Sequence, residues 1–303
     1  MSQLVKGFII AARPKTLPAG ASPVILATAH AFFDQGEISW IIFVITLLCT
    51  LLLQISSNLI NDYYDTQTGV DTQERLGPER VTNTGLIEPQ TVKKFFIGTL
   101  ALAFLLGIFL MNVGGMPIVI LGLASIAGAY HYTGGPFPLS HYGMGELLAL
   151  IFFGNIAVCG TYYLQTSTIN DAVILLSLFP GLLSAAIMAI NNARDIESDA
   201  IAKKMTLGVL LNRALKKKAS SWLPLFFVAQ AFIILCAHSY LVLNQGQSLA
   251  FMMVFLIITL IFLKTWTFLI KNGPSPAYND SLARTGKYLF ITSLIYSGIL
   301  WLS

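Results

Sequence analysis

Asn61-Asp62-Tyr63-Tyr64-Asp65-Thr66-Gln67-Thr68-Gly69-Val70-Asp71 closes a long apolar run that begins near Ile38, and its reading decides the fold. The chain has only 14 Asp and Glu in 303 residues, yet three of them stand within these eleven positions, against a segment that reads as membrane-spanning. Carboxylates at a membrane surface are functional candidates by default. If the helix from Ile38 continues through the stretch, Asn58, Asp62 and Asp65 fall at i, i+4 and i+7, and Asn61 and Asp65 at i and i+4, so their oxygens share a face. A face of oxygens suits a hard cation such as magnesium, which keeps waters and is held by one or two carboxylates together with substrate phosphates. The competing reading, a solvated loop at a helix end, fits any lone Asp equally well.

A second copy separates the two readings. Ile190-Asn191-Asn192-Ala193-Arg194-Asp195-Ile196-Glu197-Ser198-Asp199 superposes on the first without a gap as Ile-Asn-x-x-x-Asp, and each copy is followed by a further acid, Asp71 and Asp199. This is a weak internal repeat. On a helix Asn191, Asp195 and Asp199 stand at i, i+4 and i+8, again on one side. Two such faces could clamp one metal-bound diphosphate.

Hydrophobic residues make up 55% of the chain and charged residues 11%, with a mean hydropathy of +0.73. Soluble domains carry about 25% charged residues, so this composition marks an integral membrane protein. The short apolar stretch 8–12 runs into Arg13-Pro14-Lys15 and lacks the pattern of a cleavable signal. The spacing predicts an all-α protein whose 1–303 form one membrane domain. Nine crossing helices are expected, near 17–34, 39–60, 94–112, 115–132, 145–165, 171–192, 221–243, 248–270 and 286–302. With alternating helix direction, all 18 Lys and Arg fall on the side of the N-terminus, leaving Asp34, Glu37 and Asp171 opposite. The positive-inside rule makes the first side cytoplasmic. The Asp stretches follow helices 2 and 6, an even number of crossings apart, so both face that side. The net charge of +4 then reflects topology, with membrane lipid as a partner, and gives no sign of nucleic-acid binding.

Between the clusters, Arg75 and Arg80 could grip a diphosphate bidentately or serve only as topology charges. Lys203 and Lys204 follow Asp199 in the matching place of the second copy. Arg13 and Lys15 precede the first crossing, with a substrate anion or anionic lipid as partner. Lys216-Lys217-Lys218 reads as a topology signal. The loop Tyr130-His131-Tyr132-Thr133-Gly134-Gly135-Pro136-Phe137-Pro138 offers aromatic faces that could line a carbocation, or belt the membrane interface. Glu146, just inside helix 5, is unusual: an ionised partner for the basic loops, a proton-transfer group, or an interfacial residue. The four His and three Cys show neither metal spacing nor a disulfide framework.

The chain resembles the UbiA superfamily of intramembrane prenyltransferases. The resemblance rests on Asn61 to Asp65, on Asp195-x-x-x-Asp199, on their placement after helices 2 and 6, and on nine helices. Within it the chain is most similar to the dihydroxynaphthoate polyprenyltransferase branch, through Arg13-Pro14-Lys15-Thr16-Leu17-Pro18-Ala19, Asn61 to Asp71, Tyr132 to Pro138, Gly160-Thr161-Tyr162-Tyr163 and Asn191 to Asp195. The wider superfamily carries Asn-Asp-x-x-Asp-x-x-x-Asp, whereas position 69 is Gly here and the next acid is Asp71, a spacing similar to that of the naphthoate branch. Asn192 stands where the first copy has Asp62.

The resemblance implies a magnesium-dependent enzyme of the bacterial inner membrane. Its partners would be polyprenyl diphosphate and 1,4-dihydroxy-2-naphthoate, its product demethylmenaquinone. It implies Asn61, Asp65, Asp71, Asp195 and Asp199 as metal ligands, with Asp62 joining the acids in catalysis. Arg13, Lys15, Arg75, Arg80, Tyr132, Asn191, Asn192, Lys203 and Lys204 would bind substrate. A sister enzyme with another aromatic acceptor, a phospholipid phosphotransferase and a cation transporter are the alternatives. The phosphotransferase pattern needs its Asp motifs in one segment, and transporter acids belong near the midplane of broken helices.

Overall fold

In the computed structural model, residues 2–67, 76–78, 80–215 and 219–303 are described. Asp71, Arg75 and Lys216-Lys217-Lys218 lie outside them. The described residues hold helices and no strand. In order these are α1 (Gln3–Ala12), α2 (Leu17–Gln35), α3 (Trp40–Gln67), α4 (Pro89–His131), α5 (Gly145–Leu150), α6 (Ala157–Thr166), α7 (Asp171–Arg194), α8 (Ile196–Ile201), α9 (Leu207–Leu215), α10 (Leu223–Val242), α11 (Gln245–Lys271) and α12 (Tyr278–Leu302). A π-helical turn, Ile151–Ile156, joins α5 to α6.

Local chemistry sets the boundaries. Pro18 opens α2, where its missing N–H costs nothing, and Gly36 ends it at φ 76°. The Asn170 side chain caps α7 by accepting from Val173 N. α3 runs on through Gln67, so Asn61 to Asp65 are helical as the periodicity requires.

Among the described residues, seven helical stretches are long and apolar enough to cross a membrane, against nine expected. The difference has two sources. The spans expected at 94–112 and 115–132 both lie in α4, whose 43 residues would reach about 65 Å if straight, twice a bilayer core. Gly115, at φ 64° and ψ −152°, breaks it. Beyond it the chain folds back: the Met111 methyl lies 3.1 Å from where a Cβ of Gly122 would be, whereas eleven residues of straight helix span about 16 Å. The rings of Phe96 and Tyr130, near opposite ends of α4, accordingly both pack on α3, against Tyr63 and Tyr64. The second source is α12, long enough but more polar, with Asp280, Arg284 and Lys287 in its first half.

The main core joins α2, α7, α10, α11 and α12 through Phe179, Phe251, Phe255, Trp266, Tyr288 and Tyr296. Its polar tips are satisfied within the bundle: Trp266 Nε1 donates to Thr285 Oγ1 at 3.0 Å, and Tyr288 shares a bond with Thr259 at 2.8 Å. Hydrocarbon offers no alternative partner. Outward faces carry Leu48, Leu105, Ile120, Ile233, Ile257 and Ile261, as lipid contact demands.

Helix α7 meets the α5 segment at two glycines. A Cβ on Gly154 would lie 2.6 Å from Ser177 O and 3.0 Å from Gly181 Cα, and one on Gly181 2.7 Å from Leu150 O. These neighbours are backbone and cannot swing aside. Gly154→Ala therefore pushes the two helices apart at a destabilisation of about 1–3 kcal/mol, to be read as a lower thermal midpoint in detergent; an unchanged midpoint contradicts this packing.

Candidate functional site

Both acidic stretches open onto one cavity of about 330 Å³. Its polar end is lined by Arg13, Asn61, Asp65, Arg80, Tyr132, Asn191, Asp195, Asp199 and Lys204. Its apolar depth reaches Thr46, Leu110, Ile118 and Leu164. Asp65 and Thr46 are nineteen residues apart on α3, or about 28 Å, so the lining runs most of the way across a bilayer.

The first copy is held from three sides. On the α3 face toward α1, Asn58 Nδ2 donates to Ala12 O at 2.9 Å and to Thr16 Oγ1 at 3.2 Å, which ties down the turn where Arg13 adopts φ 51°. Asn61 Oδ1 accepts from Thr133 Oγ1 of the loop after α4. Asp65 is buried and paired with the buried Arg80 guanidinium. Asp62, expected on the ligand face, does other work. It accepts from Val81 N at 3.2 Å, Thr82 N at 3.3 Å and Thr82 Oγ1 at 2.5 Å, and is absent from the cavity lining. Its carboxylate anchors the returning loop and so delivers Arg80 to Asp65.

In the second copy Arg194 does what Arg80 does in the first. Its Nε and Nη2 grip the two oxygens of Asp195 at 2.8 and 2.5 Å, Nη2 also reaches Asn191 Oδ1 at 2.8 Å, and Nη1 donates to Asn279 Oδ1 at 2.6 Å. Arg194 is only 2% exposed. The sequence reading assigned it no role, although a guanidinium in the last turn of an apolar helix stays buried only when paired, which was the available signal. Beyond Asp195 the chain turns into α8, and Lys203 at φ 57° reverses it. Lys204 N then bonds Asp199 O at 2.8 Å, and its ammonium stands 3.5 Å from Asp199 Oδ1.

The remaining expectations divide by this geometry. Lys15 and Lys203 are exposed and do not line the cavity. Asn192 lies behind the wall, donating to Glu146 Oε1 at 2.9 Å. Tyr132 lines the cavity and donates to Met188 Sδ at 3.1 Å. Burial, and after it the carboxylates of Glu146, Asp65 and Asp199, push the Tyr132 phenol up, so it stays a neutral donor. Burial foremost, then Lys204, lowers the pKa of His141 in the same loop, with Asp65 opposing.

Whether these residues suit a divalent cation is answered by the donor set. It is all oxygen, from Asp65, Asp195, Asp199 and the amides of Asn61 and Asn191, as a hard cation requires. Asp199 Oδ2 is buried with no hydrogen-bond partner among the described residues. Those same residues bring no three carboxylate, His or Cys side chains close enough to hold a metal by themselves. The set therefore fits magnesium arriving with phosphate oxygens, and not a closed all-protein cage.

Comparison with known proteins places this geometry in a class. The UbiA prenyltransferase family model matches residues 21–293, and the chain belongs to that family. It is 40% identical to the 1,4-dihydroxy-2-naphthoate octaprenyltransferase of Haemophilus influenzae over 66% of this chain and 67% of that protein. Against the enzyme of the same name from Escherichia coli it is 33% identical, covering 94% of this chain and 91% of that one. The fold matches a UbiA homolog from Archaeoglobus fulgidus bound to GPP and Mg2+, with TM-score 0.64, 16% identity, and 95% and 99% of the two chains covered. An apo UbiA homolog from Aeropyrum pernix gives TM-score 0.64 at 13% identity, over 91% and 97%. Together with its spanning helices, this makes the chain a multi-pass membrane protein.

Burial, foremost, lifts the Asp199 carboxyl from 3.8 to about 6, Lys204 opposing and Asp195 reinforcing. Between those values the folded chain holds more proton than the unfolded one, so this group's contribution to stability is present at low pH and is lost as pH rises through the window. Metal-free Asp199→Asn should lack that loss: its thermal midpoint relative to the parent rises between pH 4 and 6.5. A parallel pH dependence of the two proteins contradicts the shift.

Proposed function

We propose that the chain, acting as one unit over 1–303, transfers a polyprenyl group from polyprenyl diphosphate to 1,4-dihydroxy-2-naphthoate with loss of carbon dioxide, the step that yields the hydroquinone form of demethylmenaquinone. The observation that carries this is the convergence of both acidic copies on the polar end of one long apolar cavity, in a chain 33–40% identical to relatives bearing that activity's name.

Each part of the cavity has a task. Its apolar depth takes the prenyl chain and excludes water from the reacting carbon. Asp65, Asp195 and Asp199, with Asn61 and Asn191, would hold magnesium together with the diphosphate; Asp71 completes the proposed set from outside the described residues. Bound there, magnesium supplies Lewis-acid neutralisation of charge on the leaving diphosphate. Arg13, Arg80 and Lys204 add fixed positive charge at the same end, while Asp62 and Arg194 position Arg80 and Asp195. As the allylic C–O bond breaks, the ring carbon bearing the acceptor's carboxylate forms the new C–C bond. Carbon dioxide then leaves, and its bonding pair returns to the ring. The Tyr132 ring, at the polar end, faces the developing allylic charge.

The distribution of Lys and Arg supports a cytoplasmic site end in a bacterial inner membrane. Nine crossings follow if the α4 hairpin counts twice and α12 once.

Liposome-reconstituted protein given polyprenyl diphosphate, magnesium and dihydroxynaphthoate should release carbon dioxide in step with prenylated product, and a chelator should stop both. Asp65→Ala and Asp195→Ala should each abolish turnover in folded, inserted protein. Transfer to hydroxybenzoate alone would overturn the acceptor. Normal turnover by either variant would overturn the shared clamp, and metal flux without prenyl transfer would indicate a transporter.

A further inference from the structure

We infer that Phe152 sets the bore of the cavity where the prenyl chain leaves the diphosphate, and is thereby a specificity-determining residue for the donor. The inference rests on the prenyl-transfer reading above and gives one wall of that cavity a task. Phe152 stands in the π-helical turn after α5 and lines the cavity. Its neighbour Phe153 packs on the main core. Phe152 itself belongs to none of the core clusters among the described residues, so packing alone does not account for so large a ring at this place.

What holds the ring is a glycine of the adjoining wall. Along the return leg of α4 the cavity is lined by Leu121, Gly122, Ser125, Gly128, Ala129 and Tyr132, so every lining position between Leu121 and Tyr132 is small. A Cβ on Gly128 would lie 2.8 and 2.9 Å from Cε2 and Cε1 of Phe152, and closer still to its Cζ. The far edge of the ring therefore rests where any other residue would put a side chain. One wall is kept small and the other supplies the bulk, which makes the width at this level depend on where that ring lies.

The level gives the ring its consequence. Tyr132 N bonds Gly128 O at 3.0 Å, which places Gly128 one helical turn, about 5.4 Å, deeper than Tyr132 at the polar end. The four carbon–carbon bonds of an isoprene unit, at about 1.5 Å each and laid zigzag, cover much the same rise. A diphosphate held at the polar end thus sets its first unit beside Tyr132 and its second beside Phe152. With the ring seated in its notch the chain has a path to the apolar depth. A ring driven from the notch has the cavity beside it and overpacks that path.

The test is equilibrium binding of three ligands, each with magnesium, to the full chain in detergent: inorganic diphosphate, dimethylallyl diphosphate, whose single unit stops short of the ring, and geranylgeranyl diphosphate, whose chain passes it. In Gly128→Ala the new methyl displaces the ring; geranylgeranyl diphosphate should bind at least about tenfold more weakly while the other two hold, and adding Phe152→Ala should restore it. Phe152→Trp, which adds bulk without altering α4, should weaken the long donor in the same direction. A long donor unaffected in both variants overturns the inference. So does an equal loss of all three ligands, which marks a distorted fold, or a loss that persists after Phe152→Ala. The parent tests the underlying reading by itself: if geranylgeranyl diphosphate binds no more tightly than inorganic diphosphate, the apolar depth takes no chain and the prenyl-transfer reading falls. A parent that gains affinity with chain length, beside variants that do the same, removes the role of Phe152 alone.

Discussion

Two ion pairs govern the polar end of this protein, the buried pair of Asp65 with Arg80 and the part-buried pair of Asp195 with the buried Arg194. Removing one partner of a buried pair such as Asp65–Arg80 costs about 3–5 kcal/mol because the other charge is left without compensation, and losing Asp195 would likewise leave the buried Arg194 guanidinium without its carboxylate. Arg194 extends the constraint. It bonds Asn279 of α12, and Asn279 Nδ2 in turn donates to Leu76 O at 2.9 Å. A continuous chain of hydrogen bonds thus runs from α7 through α12 to the segment after α3. Asp62 pins the far side of that segment at Val81 and Thr82. The mouth of the cavity is therefore braced from both acidic copies, and the groups proposed to bind an anion also hold the entrance together.

Below the mouth, the cavity owes its depth to close helix contact and to one fold-back. Gly154 and Gly181 bring α7 against the α5 segment backbone to backbone, and the π-helical turn that follows α5 adds Phe152, Phe153 and Ile156 to the lining. Such turns recur at functional sites. Gly115 turns α4 back, placing Leu110 and Ile118 on either side of the fold at the apolar end, where they cluster with Leu164 of α6 and with Ile42, Ile45 and Cys49 of α3. The polar end offers charge and the deep end apolar area, which suits a substrate with a diphosphate at one end and a hydrocarbon at the other.

What the sequence made legible was periodic or repeated. Helices followed from apolar runs, and the two copies of Ile-Asn-x-x-x-Asp, an even number of crossings apart, foretold that Asp65 and Asp195 would share one site. What stayed hidden depended on side-chain direction. Asp62 lies at the flank of the face that Asn58, Asn61 and Asp65 present, and the loop at 81–82 draws it away. Lys203 and Lys204 are indistinguishable neighbours until the left-handed turn at Lys203 sends one to solvent and the other to Asp199. Asn192 breaks the match with Asp62 because its partner is a carboxylate, Glu146, and an amide can donate where Asp accepts. The fold-back at Gly115, by contrast, was legible: the Gly114-Gly115 pair and Pro117 stand where the spans expected at 94–112 and 115–132 meet, and the backbone breaks there.

The central claim is that both acidic copies act on one metal-bound diphosphate, and the most direct measurement of it is calorimetric binding of magnesium to the detergent-solubilised chain with and without inorganic diphosphate. The account predicts weak magnesium binding alone, strong binding with diphosphate, and loss of the diphosphate-dependent part in Asp65→Asn and in Asp195→Asn alike. Diphosphate-dependent binding that survives in either variant would mean that the two copies hold separate ligands, and would contradict the account.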